Sequence, residues 1–271
     1  MASPSPARSI HRPMPPVLET RDLTIRFGGH VAVDTVSCAF HAGTLTAIVG
    51  PNGAGKTTYF NLMSGQLAAT SGQTLLDGDD ISALGAAGRA QRGIGRAFQI
   101  TNLFPNLTVG ENVRLAAQAR GRAKASLLSL WSSHRDWIAK ADHYLDEVNL
   151  SAVRDTLAAA LPHGDKRKLE VAIMMALEPQ VFMFDEPTAG MSVDEVPVIL
   201  DLIRKLKADG SKTILLVEHK MDVVRSLADR IVVLHNGRLV ADGEPAAVIA
   251  SPVVQEAYLG QAPKTAAASH G

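Results

Sequence analysis

The chain has one cysteine, Cys38, in 271 residues, which excludes an internal disulfide and suits a reducing compartment. It has no charge excess either. Lysine plus arginine and aspartate plus glutamate number 27 each, so no global field draws the chain toward nucleic acid or acidic lipid. Long apolar runs are also missing: the longest unbroken one, Val171 to Leu177, falls far short of the ~18 residues that suggest a membrane span. The N-terminal stretch lacks the apolar core of a signal peptide. These absences make a cytoplasmic location the expectation. What is present is an apolar content of 46%, enough for a full core in one large domain or a core plus a subdomain.

Residues 1–16 carry prolines at 4, 6, 13, 15 and 16 and read as a disordered tail. Residues 261–271 are mostly small and polar and read as a second. Between them, 17–260 reads as a single domain. Val17 to Phe40 shows short β-type runs broken by Gly28-Gly29, and Gln73 to Leu76 followed by Asp77-Gly78 reads as strand and turn, which together predict an antiparallel β layer. From Val109 to Leu150 the pattern turns helical, with Leu115, Leu127, Leu128, Leu130, Trp131, Ile138, Leu145 and Val148 as packing positions. A helical subdomain over about 100–178 is expected there. Strand and helix then alternate: Val181–Phe184, a helix near Asp194–Ala208, Thr213–Val217, a helix near Met221–Leu227, and Ile231–Leu234. That is the logic of an α/β fold with a parallel sheet. Asn236-Gly237 between two apolar runs signals a tight hairpin, and Pro252–Leu259 reads as a closing helix.

The chemistry begins at Gly50-Pro51-Asn52-Gly53-Ala54-Gly55-Lys56-Thr57-Thr58, which fits the phosphate-binding pattern G-x-x-x-x-G-K-[ST]. Leu45 to Val49 before it reads as a buried strand and Lys56 to Gln66 after it as a helix, so phosphates would sit at a helix N-terminus. The glycines let consecutive N–H groups face inward, Lys56 reaches the terminal phosphates and the Thr57 hydroxyl can hold Mg²⁺. The ligand class is a nucleoside triphosphate. A guanine-reading N-K-x-D motif is absent, which disfavours a GTPase.

Gln180 to Thr188 reads QVFMFDEPT: an apolar run, then paired carboxylates at a strand's C-terminal end, where open α/β sheets place ligands. Asp185 can anchor Mg²⁺ through a water, and Glu186 can orient or deprotonate the attacking water. With these residues and the long interval between Lys56 and Asp185, the chain over Val17 to Gly260 resembles an ATP-binding-cassette (ABC) ATPase subunit, the motor of a membrane transporter. That family carries an inserted helical subdomain between the two motifs.

The resemblance implies further roles. Gln99 in AFQ matches the glutamine that senses Mg²⁺ and the γ-phosphate and links to the membrane partner, and His219 in LLVEHKMD matches the switch histidine at the γ-phosphate. Phe27 in TIRFGG matches the aromatic that stacks on adenine. The family's signature closes over ATP held by a second cassette subunit, identical or related. Here it reads Leu161-Pro162-His163-Gly164-Asp165. Pro162 offers neither hydroxyl nor N–H where the family's serine contacts γ-phosphate. Asp165 adds negative charge at a helix start facing phosphate, with Lys166 and Arg167 available to offset it. Ser192 replaces the aspartate many relatives use for communication across the dimer. These departures leave open whether the composite site using this signature is active, and a catalytically dead regulatory cassette stays in view.

Within the family, RAFQITNLFPNLTVGENV, DEPTAGM, LLVEHKMDVV and SPVVQEAYLG resemble the ATPases of branched-chain and hydrophobic amino-acid importers. Such a subunit works on permease subunits at the inner face of the cell membrane, and a substrate-binding protein selects the cargo. Urea or amide importers, a lipopolysaccharide exporter and a soluble non-transport ABC ATPase are the alternatives. The RGRAK stretch at 120–124 reads as a solvated loop rather than a nucleic-acid patch.

Overall fold

The computed structural model describes residues 15–97, 103–122 and 133–259. Gln99, the expected packing positions Leu127, Leu128, Leu130 and Trp131, and the tails apart from Pro15 and Pro16 lie outside the described residues.

The chain opens with β1 (Leu18–Phe27), β2 (His30–Phe40), β3 (Leu45–Val49), α1 (Lys56–Ser64), β4 (Ser71–Leu76), β5 (Asp79–Asp80), α2 (Ala86–Gln91) and β6 (Ile94–Ala97). Three helices follow: α3 (Val109–Arg122), α4 (Ser133–Glu147) and α5 (His163–Ala176). The remainder is β7 (Val181–Asp185), α6 (Val196–Ala208), β8 (Thr213–Val217), α7 (Met221–Leu227), β9 (Arg230–His235), β10 (Arg238–Gly243), α8 (Pro245–Ala250) and α9 (Pro252–Leu259).

Two sheets result. The first is antiparallel, in the order β2-β1-β4-β5, and the second runs β10-β9-β3-β8-β7-β6, parallel except for the β9–β10 hairpin. Every residue of β3, β7 and β8 is buried, which is why these strands are apolar apart from Thr46, Asp185 and Thr213: a parallel sheet is covered on both faces. On one face α1 lies between the two sheets. Tyr59, Phe60, Leu62 and Met63 pack there with Ile48, Leu215 and Val217 of the parallel sheet and Leu18, Val33 and Val36 of the antiparallel one, each apolar side chain contributing ~1.5–3 kcal/mol on burial. On the other face Phe182 and Phe184 share a core with Leu169 and Ala172 of α5 and with Val109, Val113 and Leu145 of α3 and α4. The helical block is thus packed onto the same sheet that carries the phosphate loop.

Local details explain where the sequence reading shifts. Helix α1 ends at Ser64, not Gln66, because Gly65 takes φ 78 and its N–H turns back to Asn61 and Leu62, a left-handed stop. Helices α2 and α8, only six residues each, were not expected from the pattern; Pro245 at the start of α8 is the signal that could have marked it. Asn236 and Gly237 both have positive φ (49 and 76), as the tight hairpin demands. Gly237 also donates its N–H to the Ala54 carbonyl and accepts from the Asp34 N–H, tying the β9–β10 turn to the phosphate loop and to β2. Among the described residues no helix is long and apolar enough to cross a membrane.

Candidate active site

Strands β3, β8 and β7 are neighbours in parallel register, Ile48 beside Val217 and Val217 beside Asp185. Their C-terminal ends therefore open on one edge, and the three segments leaving them must meet. These are the Gly50–Thr58 loop, Glu186–Thr188 and Glu218–Lys220. They enclose a cleft of about 380 Å³ lined by residues 52–58, Glu186 and His219, with His30 and Ala32 of β2 on the far wall. The cleft brings together expected residues that are far apart in the sequence. His30 and Ala32 had been missed, since neither belongs to a chemical pattern. Phe27 sits at the end of β1 opposite His30 and is 50% exposed; it is not among the lining residues.

The loop's curl rests on left-handed glycines, Gly50, Gly53 and Gly55 (φ 153, 80 and 94). At Gly55 the need is steric as well as torsional. A Cβ there would stand 2.4 Å from the Ala32 carbonyl oxygen, so any other residue would push the loop off β2. Gly55 caps α1 without a side-chain hydrogen bond, leaving first-turn N–H groups free to receive an anion.

Lys56 is buried at the cleft floor, where its Nζ donates to the carbonyls of Gly50 (2.7 Å) and Pro51 (2.9 Å). Burial pulls its pKa below the usual lysine value, and the charges of Glu186 and Asp185 pull it back up. Across the cleft, Glu186 has the left-handed φ of 50 and donates its N–H to the Val217 carbonyl. Strain of this kind gathers at functional sites. The Glu186 Oε1 accepts from the His219 Nε2–H at 2.7 Å, so one ammonium, one carboxylate and one imidazole surround a space large enough for a phosphate chain.

The family comparisons agree with this geometry. The sequence matches the ABC transporter family over residues 33–189, more than half of the chain. The chain belongs to the ABC transporter family. The cassette is 40% identical over 253 residues to the high-affinity branched-chain amino acid transport ATP-binding protein BraF of Pseudomonas aeruginosa, covering 91% of this chain and 99% of that protein. It is 36% identical to LivG of Escherichia coli K12, a protein of the same description, over 91% and 99% of the two chains. Identity to the lipopolysaccharide export ATP-binding protein LptB of Haemophilus influenzae is 32%, over 90% and 98%. Two solved cassettes of ABC transporters, one nucleotide-free and one in an ADP conformation, superpose with TM-scores of 0.76 and 0.74 at 30% identity, each over 90% of this chain and 99% of the other. The α/β phosphate-loop ATPase fold and an ATP hydrolase activity of the ABC transporter type follow from these matches.

In the cassette, Asp185 does not face an empty floor. It is buried and its Oδ2 accepts from the Arg96 guanidinium at 2.8 Å. Arg96 also donates to Asn61 Oδ1 and Ser64 Oγ of α1 and lies over the Phe60 ring, leaving only its Nε without a partner among the described residues. Burial raises the Asp185 pKa, and the Arg96 charge opposes that rise. Sequence reasoning passed over Arg96 because nothing in RAFQ marks it as the partner of an acid so distant in the chain. Removing it would strand a buried carboxylate. Arg96→Leu is expected to lower the unfolding free energy by about 3–5 kcal/mol in urea titration, and a loss below about 1 kcal/mol would show that the pair does not matter to the fold.

The residues fit the family's nucleotide and metal. Among those described, no three His, Cys, Asp or Glu gather as a metal-binding group. Mg²⁺, which keeps several waters and takes phosphate oxygens beside one or two protein ligands, suits such a lining. The exposed Thr57 hydroxyl and the Asp185 oxygen outside the Arg96 pair suit that arrangement.

At the signature, Leu161 is buried and Pro162 caps α5 with no side-chain bond. His163 is exposed at the first helical position, close to Gly190. Asp165 pairs with Lys168 at 2.8 Å, because i,i+3 brings Lys168 onto the same helix face. Glu195 reaches the same Lys168 at 3.6 Å and lies against Gly164, where a Cβ would stand 2.0 Å from its carboxylate.

Proposed function

We propose that the cassette couples ATP hydrolysis to the import of branched-chain or other hydrophobic amino acids through membrane permease subunits. The observation that carries this is the joining of one cleft, from Lys56 to Glu186 and His219, with 40% identity to a branched-chain amino acid transport ATP-binding protein along nearly the full length of both chains. ATP lays its phosphates on the N–H groups of Gly50 to Thr58 and its adenine toward Phe27. Lys56 exchanges two neutral carbonyls for phosphate oxygens, a stronger, charge-assisted pairing. Thr57, Asp185 and Gln99 would hold Mg²⁺, which would supply positive charge to offset that of the phosphates. Glu186 orients the attacking water and takes its proton, while His219, aligned by Glu186, contacts the γ-phosphate.

The other half of the composite site comes from a second cassette subunit, identical or related. On this chain, Leu161-Pro162-His163-Gly164-Asp165 would meet that partner's nucleotide. Val193, 87% exposed near this face, is the kind of apolar residue such a contact covers. The permease surface is the cleft of about 350 Å³ between α3, α4 and the turn at 154–155, lined by Glu111, Arg114, Arg154 and Asp155. Leu157, bridged to the lining residue Thr108, and Phe104, tied to Asn112 of α3, are exposed apolar side chains alongside it. The cassette then sits on the inner membrane face without entering the bilayer, a substrate-binding protein delivers cargo from outside, and no nucleic acid is involved.

Reconstitution tests this reading. Proteoliposomes holding the cassette, its cognate permeases and the binding protein should accumulate labelled leucine or isoleucine only with ATP on the cassette side. ATP-driven uptake of urea, outward movement of lipopolysaccharide, or recovery of the chain with ribosomes or DNA and no membrane protein would each contradict it.

A further inference from the structure

Beneath the Glu186–His219 pair lies another carboxylate that none of these steps uses. Glu218 is 3% exposed, between the last residue of β8 and His219. A buried carboxylate is costly unless its oxygens are hydrogen-bonded, and here both are. Oε1 accepts from the Thr188 hydroxyl at 2.5 Å. Oε2 accepts from the backbone N–H groups of His219 at 2.7 Å and Lys220 at 3.2 Å.

These partners come from the two segments whose alignment matters most. Thr188 is itself buried, two residues beyond Glu186. His219 and Lys220 lead into α7, with Lys220 as its cap. A single side chain therefore fastens the backbone that presents the imidazole to the segment that presents the carboxylate. The Glu186 N–H to Val217 carbonyl bond (2.9 Å) joins the same segments at the strand ends, and the His219–Glu186 contact joins them at the top. Without the middle tie, the backbone of His219 would lose its bond to the Glu218 carboxylate, and only its side chain would still reach Glu186.

We propose that Glu218 is a positioning residue: with Thr188 it fixes the backbone of His219 relative to Glu186, and so sets the geometry in which the γ-phosphate is attacked. The inference rests on Glu186 and His219 being the hydrolytic pair. It also supplies a route by which a second subunit touching the 189–193 segment acts on the active site. Displacing that segment moves Thr188, Thr188 draws on Glu218, and the His219 backbone follows.

The alternative is a satisfied buried acid that merely holds the fold, and the two differ in what a substitution changes. The experiment uses the assembled transporter for turnover and the full-length cassette for melting and for affinity toward a fluorescent ATP analogue. Glu218→Ala and Thr188→Val should each lower kcat roughly ten- to hundredfold, the effect of a small misplacement, with KM for ATP and analogue affinity held to within about twofold. The double variant should be no slower than the slower single one. Glu218→Gln, whose oxygen can accept the two N–H groups and whose amide can donate to Thr188, should recover most of the turnover. Unchanged kcat in Glu218→Ala beside an inactive Glu186→Gln control overturns the proposal alone, as does a parallel fall in turnover, affinity and melting temperature. Full turnover in Glu186→Gln overturns the catalytic reading and this proposal with it.

Discussion

Replacing Glu186 by glutamine is expected to lower ATP turnover by a factor of about 10²–10⁴, the range for losing a general base, while ATP affinity is kept. The substitution is nearly isosteric. The His219 Nε2–H, now 2.7 Å from a carboxylate oxygen, can still donate to the amide oxygen, and the Glu186 N–H to Val217 bond is untouched. What disappears is a group able to take a proton from water. Affinity survives because phosphate binding rests on the Gly50–Thr58 loop and its Lys56, not on residue 186. Phosphate release by the assembled transporter, set beside nucleotide titration of the same variant, checks both halves. Turnover within about threefold of the original protein would remove Glu186 from the chemistry.

Lys56→Ala should act on the other half, cutting ATP affinity by about 10–100-fold, as the loss of one or more charge-assisted hydrogen bonds implies. The two carbonyls Lys56 now engages, those of Gly50 and Pro51, show that the loop presents acceptors when no phosphate is there. In the variant those acceptors can turn to water in the open cleft, and alanine at a helix start costs little, so the fold should persist. The defect should appear in nucleotide titration as well as in turnover. A variant that binds ATP as tightly as the original chain would show that the ammonium does not reach the phosphates.

Much of this site is legible in the sequence because each part has a local mark. The phosphate loop carries its glycines and lysine at fixed spacing, Asp185 and Glu186 follow an unbroken apolar strand, and Asn236-Gly237 announces its turn. The α/β class follows from the same buried runs, β3, β7 and β8, which are mainly apolar because helices or a second sheet cover both faces. Residues whose function depends on distant neighbours are not legible in this way. Arg96 reads as one more surface-type residue until β6 pairs with β7 and sets it beside Asp185. Glu218 is hidden by its neighbour, since His219 accounts for the motif and nothing local reveals Thr188 as its partner. His30 and Ala32 enter the cleft only because β2 passes over the loop. At the signature, sequence located the altered residues but passed over Lys168, because only the helical face shows that this lysine reaches Asp165.

The most direct test of the central claim is a structure of the Glu186→Gln cassette with ATP and Mg²⁺. The account predicts the triphosphate on the Gly50–Thr58 loop, Lys56 Nζ moved from the Gly50 and Pro51 carbonyls to phosphate oxygens, and His219 and residue 186 facing the γ-phosphate within about 4 Å, directly or through one water. ATP seated elsewhere, or a γ-phosphate remote from His219 with Lys56 still on its two carbonyls, would contradict it.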